Sequence, residues 1–163
     1  FGIIYGVSPF GLSKNINCSV SDAKKIIDDY FERFSKIQDF ISQTILQAKK
    51  DGFVSTAFGR KRPLSFIHSS DRSRRQFEER AAVNTFLQGT AAEIIKKAMI
   101  SIDQQLNNDQ AFLVMQVHDE LVYDVAESEI DSVLKIVKKE MESVVLYSVK
   151  LLINYHISQT WKG

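Results

Sequence analysis

Apolar residues recur at Ile27, Tyr30, Phe31, Phe34, Ile37, Ile41, Ile45 and Ala48, a 3.6-residue period that predicts one long helix with a single packed stripe. Ser19 opens it, with Asp22 three residues on in the position of a capping box, and Gly52 is placed to end it. Before it, residues 1–18 are punctuated by Gly2, Gly6, Pro9 and Gly11 and read as short helical turns and loops. After it, Val54, Thr56 and Phe58 alternate ahead of Gly59 and Pro63, the pattern of a short hairpin or extended loop. Residues 67–73 are polar and read as a loop. A second long helix is expected from about Arg74 to Leu106, with Ala82, Phe86, Ile94, Ile95, Ala98, Met99 and Ile102 on its apolar face.

Asn107-Asn108-Asp109 breaks the chain. The run 112–117 and the run 121–125 are apolar and of strand length, joined by a very short polar turn, so they predict a second hairpin. A third helix is expected over roughly Ser128–Val145, and a last strand over Lys150–Ile157, ahead of Trp161. Helices packed on a small antiparallel sheet make the expected fold class α+β.

Composition adds limits. The 163 residues are 44% hydrophobic and 25% charged, which excludes a disordered chain and allows one domain or two small lobes. Cys18 is the one cysteine, so no disulfide framework or cysteine-based zinc site is available. No apolar run approaches the roughly 18–20 residues of a membrane span, and no signal peptide is visible. The chain starts at Phe1 rather than Met and is expected to be a piece of a longer one.

The net charge of +1 conceals an asymmetry. Residues 60–80 hold seven basic side chains against three acidic ones; residues 119–142 hold eight acidic against three basic. A basic block suits a phosphate-bearing partner and an acidic one suits metal binding, although solvated faces carry the same pattern.

Three constellations are candidates for chemistry. Asp119 and Glu120 sit at the hairpin turn beside His118, and hard carboxylate oxygens are what Mg²⁺ takes; a polar turn of no function looks alike. Arg80, Asn84 and Gln88, at i, i+4 and i+8, share a helix face. Arg suits phosphate, while Asn and Gln can probe base edges in a minor groove without reading sequence; an ordinary solvated face is the plainer reading. Phe1 and Tyr5, at i and i+4, would form one aromatic face if helical, suited to stacking on a base or sugar or simply to packing.

Phe1-Gly2-Ile3-Ile4-Tyr5-Gly6, Glu79-Arg80-Ala81-Ala82-Val83-Asn84 with Gln88-Gly89-Thr90-Ala91-Ala92, and Gln116-Val117-His118-Asp119-Glu120 follow in this order. Together they closely resemble the C-terminal half of the polymerase domain of family A DNA polymerases, the bacterial DNA polymerase I type. Gly59-Arg60-Lys61-Arg62 and Trp161 fit the resemblance, which covers essentially the whole chain; Ser158 stands where the family often has glycine.

The resemblance implies a right-hand fold, with residues 1–75 the distal part of the fingers and 76–163 the C-terminal part of the palm. It implies that Phe1 packs on the sugar of an incoming dNTP and that Tyr5 stacks at the templating position. Arg80, Asn84 and Gln88 would contact primer–template DNA, with His118 near the primer terminus. Asp119 would be a ligand of two catalytic Mg²⁺ ions and Glu120 an accessory carboxylate. The family's other metal-binding Asp, and an Arg and a Lys that grip the triphosphate, have no counterpart in these residues. The chain alone is therefore expected to be inactive, monomeric or weakly associated. The expected location is the cytoplasm, at the nucleoid, with an organellar parent left open. Two alternatives stand beside this reading. One is a single-subunit RNA polymerase palm, whose turn usually reads His-Asp-Ser where Glu120 stands here. The other is a non-catalytic DNA-binding module. An HD-type phosphohydrolase is set aside, since only His68 and His156 remain as further ligands.

Overall fold

The computed structural model describes residues 2–106 and 110–160. Phe1, Trp161 and the expected break at Asn107-Asn108-Asp109 lie outside the described residues. The fold is α+β, in two compact units, Phe1–Thr90 and Ala91–Gly163.

In the first unit, α1 (Pro9–Ile16) starts with Pro at N1 and a Ser8 hydroxyl that accepts from the Gly11 amide at 3.0 Å. The Ser19 hydroxyl accepts from the Asp22 amide at 3.0 Å and donates to its carboxylate at 2.7 Å, so the expected cap forms. The long helix it opens is two helices, however: α2 (Val20–Arg33) and α3 (Ser35–Asp51). Phe34, at φ −117 and ψ 53, lies outside the helical region and separates them. The apolar spacing runs through Phe34 unbroken, so periodicity could not register a one-residue interruption. The Phe34 ring lies 5.0 Å from that of Tyr30. Gly52, with φ +74, ends α3 as expected; its amide donates to the Ala48 carbonyl at 2.9 Å.

The first hairpin also forms. β1 (Phe53–Ser55) pairs antiparallel with β2 (Lys61–Pro63), Val54 opposite Arg62. The core of this unit joins Ala48 of α3, Val54 of β1, Leu64 and Ile67 of the following loop, and Ala81 and Ala82 of α4 (Arg72–Asp103). Three alanines in that set let helices approach closely. Phe86 seals the cluster, its ring edge-on to Phe40 at 5.2 Å.

In the second unit, β3 (Ala111–Val117) pairs antiparallel with β4 (Glu120–Val125), with an irregularity between Leu113 and Met115. Alternate β3 residues turn inward, from the buried Ala111 to the half-buried Leu113, Met115 and Val117. A 3₁₀ turn (Glu127–Glu129) leads into α5 (Ile130–Ser143), whose Val133 is buried, as are Ala98 and Ile102 of α4.

The strand expected over Lys150–Ile157 does not form. Leu151 and Ile153 turn partly inward, but Leu152, Tyr155 and Ile157 are exposed. The Ile153 amide donates to the Glu142 carboxylate at 3.3 Å instead of to a neighbouring strand. Alternation marks which side chains seek burial; a strand also needs a ladder partner. No helix among the described residues is long and apolar enough to cross a membrane.

Candidate nucleic-acid interface and carboxylate turn

The basic hairpin and α4 enclose a groove of about 400 Å³ in the first unit. Arg60, Lys61 and Arg62 line it from one side, Asn84, Thr85 and Gln88 from the other. The floor is set by a close approach of Gly89 to Thr56: a Cβ at residue 89 would lie 2.7 Å from the Thr56 methyl. Only glycine allows this contact. Thr56 is itself fixed. It is buried, its amide donates to the Arg60 carbonyl at 2.9 Å, and its hydroxyl accepts from the Arg60 amide at 3.1 Å. One residue on, the Ala57 amide donates to the Thr90 hydroxyl at 3.0 Å. The hairpin is thus bonded to the helix, and its cations are held rather than free to wander.

The expected polar stripe divides. Asn84 and Gln88 line the groove; Arg80 does not. The Arg80 stem lies against the backbone of Gly6, where a Cβ would come within 3.1 Å of its Cγ. Gly6 has φ +77 and closes a turn in which its amide donates to the Ile3 carbonyl at 3.0 Å. Residues 2–6 are turns rather than helix; the half-buried Tyr5 sits next to Gly6 in that turn, and Phe1 lies outside the described residues.

Asn84 carries a side-chain oxygen that is buried and has no hydrogen-bond partner among the described residues. Leaving such an acceptor unpaired costs about 1–3 kcal/mol. Thr85 was not among the sequence candidates. Its hydroxyl accepts from the Arg62 guanidinium at 3.0 Å and so steadies the cationic wall. Its only sequence signal was its place beside Asn84.

In the second unit, Val117 and Glu120 are the last paired residues of the hairpin, so His118 and Asp119 form its two-residue turn. His118 has φ +54, a region that His enters more readily than most residues. The side-chain amide of Gln116 donates to the His118 carbonyl at 2.9 Å and fastens the turn. Gln116 was also missed as a candidate, although a lone polar residue inside the apolar run 112–117 marks it. His118, Asp119 and Glu120 are all exposed. No group of three or more His, Cys, Asp or Glu suited to a metal occurs among the described residues. The two exposed carboxylates nonetheless match the donor set of a hard cation that takes one or two protein oxygens and fills the rest of its shell from phosphates and water.

The model of DNA polymerase family A matches residues 1–163. The chain belongs to that family. Over 163 residues this family A chain is 42% identical to DNA polymerase I of Streptococcus pneumoniae (TIGR4) and 40% identical to that of Bacillus caldotenax. Each alignment covers 99% of this chain but only 19% of the relative, so the chain spans about one-fifth of their length. Among solved structures, the POL domain of Pol1 from M. smegmatis, in complex with DNA primer-template and dNTP, superimposes with a TM-score of 0.88 at 39% identity. That match covers 92% of this chain and 27% of the other. Family A membership argues against the RNA polymerase alternative.

Proposed function

We propose that this chain is part of a template-directed DNA polymerase that adds dNTPs to a primer 3′-OH. The observation that carries the reading is the whole-chain match to DNA polymerase family A, together with a structural neighbour described as bound to primer-template and dNTP. The primer hydroxyl oxygen attacks the α-phosphorus of the dNTP. A new P–O bond forms, the bond to the bridging oxygen breaks, pyrophosphate leaves, and the hydroxyl proton passes to solvent.

In this reading residues 1–75 are the distal fingers and 76–163 the C-terminal palm. Asn84 and Gln88 reach the minor-groove edge of the primer–template duplex, where acceptors common to every base pair lie. Arg60, Lys61 and Arg62 neutralise its phosphates, and Arg80 holds the Tyr5 turn at the templating position. Phe1 lies against the sugar of the dNTP. His118 stands near the primer terminus. Asp119 holds Mg²⁺, and Glu120 assists from the first position of β4. When bound, Mg²⁺ supplies charge neutralisation on the reacting phosphates. The working protein is read as acting on nucleoid DNA in the cytoplasm, and this chain by itself as monomeric or weakly associated and without activity.

The test is Asp119→Ala in the complete gene product. Turnover in primer extension is expected to fall by at least about a thousandfold while primer–template affinity stays unchanged, because the lost interaction serves the reaction and not the ground state. Near-normal turnover would sink the catalytic assignment.

A further inference from the structure

A second aromatic and cationic surface lies where α4 begins, apart from the groove that Asn84 and Gln88 line. Phe66 is 47% exposed and Phe77 is 59% exposed. The Arg74 guanidinium sits over the Phe66 ring, 5.3 Å from its centroid, and Arg74 is three residues before Phe77 on the same helix face. Two exposed rings and a guanidinium therefore occupy neighbouring positions on the loop and the first turns of α4.

The exposure of Phe66 is built in. Leu64 and Ile67 are each 2% exposed and anchor the loop in the core, which leaves Ser65 and Phe66 between them facing outward. The Ser69 amide donates to the Phe66 carbonyl at 3.0 Å, and the Arg75 guanidinium donates to the Ser69 carbonyl at 2.7 Å. The ring is held on a fixed base.

The local charge is positive in effect. Arg72, Arg74 and Arg75 cluster here. Asp71 is engaged as the cap of α4, accepting from the Ser73 amide at 2.8 Å and lying 3.6 Å from Arg74. Glu79 is paired with Lys49 at 2.6 Å, and Glu78 is buried. Exposed rings held rigidly among arginines suit flat, anionic, unpaired nucleotides: bases stack on the rings while guanidinium groups meet phosphates. A base-paired duplex hides its base faces and offers such rings nothing to stack on.

We propose that Phe66, Arg74 and Phe77 form a docking strip for single-stranded nucleic acid, taking the unpaired stretch of the strand whose paired part occupies the groove. The inference rests on the polymerase reading for the presence of that strand.

The test measures the affinity of the complete gene product for two DNAs by fluorescence anisotropy. One is a blunt duplex; the other is the same duplex with a twelve-nucleotide dT extension on the template strand. Wild type is expected to prefer the extended DNA. In Phe66→Ala/Phe77→Ala that preference is expected to fall at least about tenfold with blunt-duplex affinity unchanged, whereas Phe66→Trp/Phe77→Trp keeps it, because the strip needs a ring and not phenylalanine itself. No preference in wild type, an unaltered preference in the alanine variant, or an equal loss on both DNAs overturns the strip. A lowered Tm with the preference intact also overturns it and marks the rings as covered by protein. Wild-type protein that binds neither DNA and extends no primer overturns the polymerase reading itself, and the strip with it.

Discussion

The side-chain amide of Gln116 reaches two residues along the chain to the carbonyl of His118, 2.9 Å away, and so pins the turn that carries Asp119. Gln116 is exposed and contributes little to the core. Gln116→Ala should therefore leave Tm nearly unchanged while loosening the turn. A carboxylate displaced by about 1 Å can cost about a hundredfold in rate. We expect kcat in primer extension to fall by about ten- to a hundredfold in the complete gene product, with primer–template Kd unaltered. Steady-state kinetics beside a binding isotherm check this; a fall in affinity with normal kcat would assign Gln116 to DNA contact instead.

Gly89 and Thr56 meet too closely for any added carbon. Gly89→Ala should destabilise the protein by about 1–3 kcal/mol, since Thr56 is β-branched, buried and held through its hydroxyl and so has no free rotamer. Thr56→Ser deletes the offending methyl and keeps the hydroxyl. The double variant should recover about 1 kcal/mol or more relative to the sum of the single changes, as a double-mutant cycle in urea would show.

The Ser101 hydroxyl donates to the Glu140 carboxylate and, with Gln105 and Lys139, holds its pKa below the usual Glu value of 4.5. A depressed folded-state pKa contributes stability above the unfolded value, lost as pH falls through the folded one. Ser101→Ala should move the Glu140 titration upward and flatten the stability profile on the acid side. Carboxyl ¹³C shifts of Glu140 and urea midpoints from pH 7 to pH 3 are the measurements.

At the alkaline end, burial and then the charge of Asp103 push the Tyr123 hydroxyl up to about 12 from its ordinary 10.0. The unfolded chain then loses its proton first as pH rises. Stability linked to Tyr123 is complete below pH 10 and declines between about pH 10 and 12. Tyr123→Phe should lack that decrement, and its ultraviolet titration should lack the step near pH 12.

Local signals carried most of the fold. The Ser19 cap, the αL glycine at 52 and both hairpins depend on residues close in sequence, and each left a mark that could be read. Two features needed the third dimension. Phe34 interrupts a helix without a glycine or proline and without disturbing the apolar period. The stretch Lys150–Ile157 has the alternation of a strand but finds no ladder among the described residues. The candidate site divides along the same line. Arg80, Asn84 and Gln88 stand out in the sequence because helical spacing aligns them, yet only Asn84 and Gln88 line the groove, and Asp119 and Glu120 stand out because the turn isolates them. Gln116 and Thr85 act through single contacts, and no residue pattern announces a hydrogen bond between one side chain and one carbonyl or guanidinium.

The stretch from Leu64 to Asp71 has no regular secondary structure, yet few of its groups are idle. The Leu64 amide donates to Gly52, the Ile67 amide to Leu64, and the Asp71 amide to the Ser69 hydroxyl, while a His68 ring nitrogen lies 2.7 Å from the Lys49 carbonyl. With Leu64 and Ile67 in the core, this segment can open only when those anchors withdraw. Its amides should therefore exchange with solvent deuterium on the timescale of the helices that flank it, and a protease should find no early cut there. In dynamic terms it belongs to the slow, cooperative part of the molecule, and the arginine-rich start of α4 has a foundation as durable as the core beneath it.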